Sequence, residues 1–270
     1  MKKLFLTCVA TIAGFQSGCM SPNRVPENPT EEKLAYLVNN FAISSIDSSL
    51  INAVTSQDSI PIKFKKMTYS IIYDSRAALG IPDISGISIP TQSTISHGVP
   101  DSRVTLVQAP APFVMELIEN FKDGIPVYDT YSLTYRDITS FKTQGIDPHG
   151  KPESPLVTRK IREFPSLNIH STDADQLIFD TEFANSPQSD AKLWPAKPIC
   201  VLGRIFDASI INKKFTGKAR ALDCTLYGVN GKASSQQRRA YLLQYGVTIE
   251  IQSLRQGDLM TGHIFNVHVE

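Results

Sequence analysis

Alternation of apolar and polar residues recurs along much of the chain and limits the possible folds more than any other feature. Tyr69, Ile71 and Tyr73 alternate with polar neighbours, and the same period of two appears in four other segments, at residues 62–64, 127–138, 247–251 and 264–269. This period is typical of half-buried β-strands. The sequence therefore predicts a β-rich fold whose last strand lies at the end of the sequence.

Helical spacing of apolar residues interrupts this pattern in three places. Thr30 is a suitable N-cap for a helix over residues 31–42, and the apolar series at 46–54 continues that helix or begins another. Residues 113–121 have the same spacing and follow Pro112, a residue type that often begins a helix. We therefore predict an α+β fold with N-terminal helices and a β-rich, sandwich- or barrel-like C-terminal half.

The first nineteen residues have the composition of a secretory signal. A basic start at Met1–Lys3 precedes an apolar stretch at Leu4–Phe15, and small residues then lead to Cys19. The apolar stretch is too short to cross a hydrocarbon layer of ~30 Å as a helix, but it has the length of a signal-peptide core. We therefore expect the protein to be exported, with residues 1–18 as the signal peptide.

The segment that ends at Cys19 resembles the signal of bacterial lipoproteins, in which small residues precede an invariant cysteine that is acylated and becomes the first residue. The resemblance implies lipidation of Cys19, for instance by palmitate. Gln16 stands where this family usually has Leu, and a cleaved signal peptide followed by a chance cysteine is the alternative. Met20 stands where an Asp commonly retains such proteins in the inner membrane, so the resemblance implies an outer-membrane anchor facing the periplasm.

Proline and glycine indicate two further boundaries. Residues 19–30 carry three prolines and few apolar residues, which is typical of a tether between a lipid and the first folded element. Residues 145–155 carry three prolines and two glycines and form a linker or, as we prefer, a long surface loop. The predicted organisation is an N-terminal α+β region at 31–145 and a C-terminal β-rich region at 156–270.

The positions of the four cysteines predict one disulfide. Cleavage removes Cys8 and acylation uses Cys19, which leaves Cys200 and Cys224. Two remaining thiols in an oxidising compartment are most simply explained by a disulfide between them. Metal binding is the alternative, but tetrahedral zinc takes four ligands and no histidine lies near either cysteine in the sequence.

Composition and motifs give little support to an enzymatic function. Lys and Arg number 27 against 26 Asp and Glu, a formal charge of +1, so no overall charge attracts nucleic acid. The sequence has no Walker phosphate-binding loop, no G-x-S-x-G nucleophile elbow, no H-E-x-x-H zinc motif and no G-x-G-x-x-G dinucleotide motif. We therefore predict a non-enzymatic protein without a cofactor, a metal site or a nucleic-acid partner.

The weaker candidates each have a simpler interpretation. Ser189 and Lys192 match the S-x-x-K spacing of penicillin-binding enzymes, but the motifs that accompany it are missing. His170 lies close to Asp173 and Asp175, where a solvated polar turn is the preferred interpretation. We interpret a group of basic residues in the C-terminal half as a solvated hairpin rim: Lys213, Lys214, Lys218, Arg220, Arg238 and Arg239. We interpret five tyrosines as core residues rather than as a protein interface: Tyr69, Tyr73, Tyr128, Tyr131 and Tyr135.

The surroundings of the two C-terminal cysteines resemble the TraB-type scaffold proteins of conjugative type IV secretion systems. Ile199–Gly203 carries the first cysteine and a nearby glycine, Arg220–Cys224 carries an arginine and the second cysteine, and Gly231–Lys232 follows. In that family, whose members are anchored in the inner membrane, this segment belongs to a periplasmic β-barrel domain that assembles into a ring. The resemblance implies a disulfide-bridged, barrel-like subdomain without catalytic residues.

The lipoprotein-like signal and the TraB-type resemblance together predict a non-enzymatic outer-membrane lipoprotein that faces the periplasm. It would be a structural or accessory component of an envelope assembly, such as a secretion, conjugation or pilus apparatus. Its partners would be the outer membrane, through the lipid, and other proteins of the assembly. The alternative is a periplasmic lipoprotein that binds a small ligand or a glycan in a β-lined pocket. A hydrolase acting on envelope material is a third hypothesis, to which we assign no residues.

Overall fold

Antiparallel strands make up most of the residues that the structure describes. The computed structural model describes residues 29–58, 60–77, 100–169, 175–185, 191–228, 230–255 and 257–270. The helices are α1 (Glu31–Asn40) and α2 (Ser48–Thr55), with short 3₁₀ turns at Ile43–Ser45 and Ala208–Ile210. The strands are β1 (Lys66–Ala77), β2 (Ser102–Gln108), β3 (Phe113–Lys122), β4 (Ile125–Tyr135), β5 (Thr139–Ile146), β6 (Leu156–Glu163), β7 (Gln176–Ile178), β8 (Asp180–Ala184), β9 (Trp194–Asp207), β10 (Lys218–Tyr227), β11 (Ala233–Leu242), β12 (Val247–Arg255) and β13 (Asp258–Val269).

These strands form one sheet, which closes into a twelve-stranded antiparallel barrel. The order around the barrel is β10-β11-β12-β13-β1-β2-β3-β4-β5-β6-β8-β9, and β9 closes it by pairing with β10. The short strand β7 pairs with β9 in addition. The β5–β6 pairing has the fewest residue pairs around the barrel, Lys142 with Val157 and Thr143 with Leu156. The segment at 145–155 that we predicted to be a linker or loop connects these two strands.

The predicted α+β class is therefore wrong. The barrel takes strands from both halves of the chain, and the two helices are short. The main local error is the helix predicted at 113–121, which is strand β3. Both faces of β3 are buried, since every residue of Phe113–Leu117 is buried. A strand that is buried on both faces loses the period of two, and its apolar residues then also match helical spacing.

The helix predicted at 31–42 is confirmed as α1. The Thr30 hydroxyl accepts the Lys33 amide at 3.4 Å and caps the helix. Lys33 also links α1 to the barrel through two ion pairs, because its ammonium group contacts the carboxylates of Glu119 at 2.9 Å and Asp129 at 2.7 Å. The apolar series at 46–54 forms α2, whose Leu50 and Val54 are buried.

Buried apolar side chains form two clusters on opposite sides of β3. The first cluster packs the helices against one side of β3, and it includes Leu37, Phe41 and Leu117. The second cluster contains Val114 and side chains from β1, β2, β11, β12 and β13. Successive residues of a strand point to opposite faces. Glu116 therefore shares the side of Val114, the side on which the cavity described below lies.

Candidate site: a cavity with buried carboxyl groups

A cavity of about 440 Å³ lies beside the second core cluster, and we call it the barrel cavity. Side chains of β1–β4 and β11–β13 line it, together with Asp137 from the turn between β4 and β5. Tyr73, Ser102, Asn120 and the exposed Asp258 also line it. The volume falls within the range of ~300–1,000 Å³ that is typical of small-molecule sites.

Four charged side chains meet at the inner end of the barrel cavity, and we call them the cavity cluster: Glu116, Asp137, Arg239 and Glu250. Nη1 of Arg239 lies 3.2 Å from Oδ2 of Asp137 and donates to the Asp137 carbonyl. Nη2 of Arg239 lies 3.9 Å from Oε2 of Glu250. The carboxyl groups of Glu116 and Asp137 are hydrogen-bonded to each other. Three carboxyl groups thus surround one guanidinium.

Burial keeps part of this cluster protonated. Burial raises the pKa of Glu116 well above its usual value, and the charge of Asp137 raises it further. Burial also raises the pKa of Asp137 to about 6, although Arg239 lowers it in part. For Arg239, burial opposes the charge, but Asp137 and Glu250 outweigh it and raise the pKa. In the hydrogen bond between the two carboxyl groups, Glu116 is the donor, because that bond raises the pKa of Glu116 and lowers that of Asp137.

The turn between β4 and β5 places Asp137 in the cavity. Arg136 and Asp137 have φ values of 50° and 57°, in the left-handed region that non-glycine residues adopt at a cost on the order of 1 kcal/mol. The hydroxyl of Thr248 donates to the carbonyl oxygens of both residues, at 3.0 Å and 2.8 Å. These bonds join the turn to β12 and stabilise the strained backbone.

A second charged group holds the same turn from the other side, and we call it the anchoring cluster: Asp58, Tyr135 and Arg136. Nε and Nη2 of Arg136 donate to the Asp58 carboxylate at 2.5 Å and 2.9 Å. Nη1 of Arg136 donates to the carbonyl of Gly246 at 2.6 Å, and the Tyr135 hydroxyl donates to Asp58 at 2.7 Å. Both Asp58 and Arg136 have fully buried side chains.

Two hydroxyl groups line the barrel cavity without a hydrogen-bond partner among the described residues. Tyr69 and Ser253 are each 2% exposed, and both line the cavity. Neither hydroxyl makes a hydrogen bond within the part of the chain that the structure describes. Among the described residues, the fully buried side-chain oxygen without a partner is that of Tyr241, so the Tyr69 and Ser253 oxygens are accessible from the cavity. Such groups indicate positions where a ligand atom would be hydrogen-bonded.

The predicted disulfide is confirmed. Cys200 on β9 and Cys224 on β10 are directly paired across the two strands that close the barrel, and their sulfur atoms are bonded. Both thiols are therefore used, which removes the metal-binding alternative. The predicted lipidation residue, Cys19, lies outside the described residues. A smaller cavity of about 200 Å³ lies beside Cys224 and is lined mainly by apolar and hydroxyl side chains.

The weaker candidates from the sequence do not form a site in the described residues. Ser189, His170 and Asp173 lie outside them. His263 contacts the exposed Asp74 at 2.7 Å. No group of three or more potential metal ligands occurs in the described ranges.

The interpretation of the basic residues as a solvated rim is wrong for the three arginines. Arg220 is 3% exposed and donates to the carbonyls of Gly203 and Ile169. Arg238 is buried and donates to Asp223 at 2.9 Å. Arg239 belongs to the cavity cluster. Interior carboxylates and carbonyls satisfy these guanidinium groups, and such pairing is what permits an arginine to be buried.

The five tyrosines support core packing rather than an exposed interface. Tyr69, Tyr131 and Tyr135 are buried. Tyr73 is half-buried and lines the barrel cavity. Tyr128 lies across Gly145, since a Cβ atom at that glycine would fall 1.5 Å from the Tyr128 oxygen. Glycine is therefore required at 145 for the ring to pack on β5.

Comparisons with known proteins leave the fold and the site as the only guides to function. Family models, curated proteins and solved structures were compared with the chain, and none matches. Within the described residues, neither α1 nor α2 has the length and apolarity needed to cross a bilayer. The class that the structure defines is a closed twelve-stranded antiparallel barrel with one internal carboxyl-rich cavity and one interstrand disulfide.

Proposed function

We propose that the protein is a periplasm-facing lipoprotein that binds a small ligand in the barrel cavity. The observation that carries the proposal is the pair of hydroxyl groups of Tyr69 and Ser253, which line the cavity and make no hydrogen bond within the described residues. The size of the cavity and its combination of tyrosine walls with a few convergent polar groups also support it. The signal-like N-terminus supports the location, with Cys19 as the acylated residue.

Native mass spectrometry of the protein extracted from the cell envelope in mild detergent tests the binding function. We expect a non-covalent adduct on the wild type that is missing from Thr130→Trp, because Thr130 lines the cavity and is half-buried. Lys160→Trp, at an exposed position of β6, serves as the control and keeps the adduct. A wild type without an adduct, or an adduct that Thr130→Trp retains, contradicts the proposal.

A second candidate function is a structural component of an envelope assembly. Its support is the combination that the TraB-type resemblance implies, a barrel whose closing strands β9 and β10 are joined by a disulfide. Size-exclusion chromatography of detergent extracts after crosslinking tests it, with a large complex as the expected result. A protein that elutes as a monomer and crosslinks to nothing contradicts this candidate. Radiolabelled palmitate should enter the wild type and not Cys19→Ala.

A further inference from the structure

We propose that the barrel cavity selects small organic cations and binds their ammonium groups at its inner end. This inference rests on the proposed ligand-binding function and names the chemical class of the ligand. Three features carry it: the charge balance of the lining, the occupied donors of Arg239, and the two hydroxyl groups without partners.

The charge balance of the lining favours a cation. Glu116, Asp137, Glu250 and Asp258 contribute carboxyl groups, and Arg239 contributes the one guanidinium among the described side chains that line the cavity. A carboxyl excess in a partly desolvated cavity attracts positive charge and repels negative charge, because the low local polarity strengthens both effects.

Arg239 is not available to bind an anion. Its Nε donates to Gln237 at 3.1 Å, and its Nη1 donates to the Thr248 hydroxyl at 3.2 Å and to the Asp137 carbonyl. Its Nη2 faces Glu250. An anionic ligand would have to break these contacts and approach three carboxyl groups, whereas an ammonium group leaves them in place.

The remaining polar groups match the donors of an ammonium group. An ammonium carries hydrogen-bond donors and no acceptor, and the hydroxyl oxygens of Tyr69 and Ser253 can accept from it. Glu116 donates a proton to Asp137, and a bound ammonium would take the place of that proton, which is released to solvent. The aromatic faces of Tyr69 and Tyr73 suit the carbon chain and the cation together.

An isosteric series of probes tests the inference by isothermal titration calorimetry at pH 7.5. The probes are 1,4-diaminobutane, 1,4-butanediol and succinate, which share a four-carbon chain and differ in charge. We expect the diamine to bind to the wild type and the diol and the dianion to bind at least tenfold more weakly. Equal or tighter binding of the diol or of succinate overturns the inference.

Two cavity variants and two matched controls locate the binding. Tyr69→Phe and Glu116→Gln should each weaken binding of the diamine by about tenfold or more, since each removes an interaction with a charged group. Tyr227→Phe, outside the cavity, and Asp207→Asn, in an exposed ion pair with Lys218, should leave it unchanged. Circular dichroism checks each fold, and Tyr69→Phe alone decides the result if Glu116→Gln does not fold. Diamine binding that neither cavity variant alters overturns the inference.

The failure of this inference and the failure of the proposed function give different results. If the diol or succinate binds and Thr130→Trp blocks it, the cavity is a ligand site but not a cation site. If no probe binds while native mass spectrometry still detects a Thr130-sensitive adduct, the inference fails and the proposed function stands. If neither a probe nor an adduct is detected, both fail.

Discussion

Arg136 and Asp137 are consecutive residues of one turn, yet they belong to two clusters of which one is balanced in charge and the other has an excess of carboxyl groups. In the anchoring cluster, one guanidinium meets one carboxylate, and a tyrosine hydroxyl and a backbone carbonyl complete the hydrogen bonds. In the cavity cluster, three carboxyl groups surround one guanidinium, and burial, with a smaller contribution from neighbouring carboxylates, raises the pKa values of Glu116 and Asp137.

The difference separates a structural group from a binding group. A buried ion pair is tolerated when its partners satisfy each other, and removing one partner leaves a charge that the interior cannot stabilise. An excess of one charge sign with perturbed pKa values is instead typical of functional sites, where a ligand completes the balance. The two clusters share the β4–β5 turn, so the anchoring cluster determines where Asp137 lies.

The largest expected change in the free energy of unfolding comes from removing a charge of the anchoring cluster. Arg136→Met keeps most of the side-chain volume but leaves the Asp58 carboxylate buried without its guanidinium partner. We expect the free energy of unfolding to fall by about 3–5 kcal/mol, measured by urea denaturation monitored with circular dichroism.

The matched control is an ion pair at the surface. Arg162 contacts Glu182, and the arginine side chain is 55% exposed. Arg162→Met should lower the free energy of unfolding by less than ~1 kcal/mol. Equal losses for the two variants would contradict the structural role of the anchoring cluster.

A smaller effect, dependent on pH, should come from the cavity cluster. A carboxyl group whose pKa is raised by folding keeps a proton that the unfolded chain releases, so its contribution to stability is complete at low pH and is lost as pH rises. Glu116 faces Tyr69, Asp137, Arg239 and Glu250. Glu116→Gln removes this titration, so the variant should gain stability relative to the wild type between pH 5 and pH 8.

Urea denaturation at pH 5 and at pH 8 measures this gain in the free energy of unfolding. Asp207→Asn is the control for a carboxylate outside the cavity, because Asp207 is exposed in its pair with Lys218. A difference between Glu116→Gln and the wild type that does not change with pH would show that Glu116 is not held protonated by the fold.

The sequence predicts the strands with one buried face and fails where both faces are buried. The alternation at 127–138, 247–251 and 264–269 identified β4, which ends at Tyr135, and β12 and β13, and the Thr30 cap identified α1. β3 was predicted as a helix because both of its faces are covered, by the helices and by the second core cluster. Closure of the barrel depends on the β9–β10 pairing, for which local patterns carry no information.

The cavity cluster could not be predicted because its members are far apart in sequence and come together only through the barrel. Two signals were present: Glu116 interrupts the apolar run at 113–118, and Arg238 and Arg239 precede a buried stretch of β11. A charged residue inside an apolar strand indicates either a paired interior charge or a site. The sequence alone does not distinguish these two, since the partners Asp137 and Glu250 lie on other elements.

The smallest expected change in the free energy of unfolding comes from Tyr241, and it tests whether this residue belongs to the anchoring cluster. The hydroxyl of Tyr241 is fully buried and has no hydrogen-bond partner among the described residues. Tyr241→Phe should therefore change the free energy of unfolding by less than ~1 kcal/mol, with a gain expected, because removing an unsatisfied polar atom relieves its desolvation cost. Urea denaturation measures this difference.

Tyr135→Phe is the matched comparison for Tyr241→Phe, since the Tyr135 hydroxyl donates to Asp58 at 2.7 Å. Loss of a hydrogen bond to a charged group costs ~1.5–3 kcal/mol, so the two tyrosines should respond with opposite signs. A loss at Tyr241 as large as that at Tyr135 would extend the anchoring cluster to β11, the strand that carries Arg239. The two charged clusters would then be linked through that strand as well as through the turn, and substitutions in one should alter the pKa values of the other.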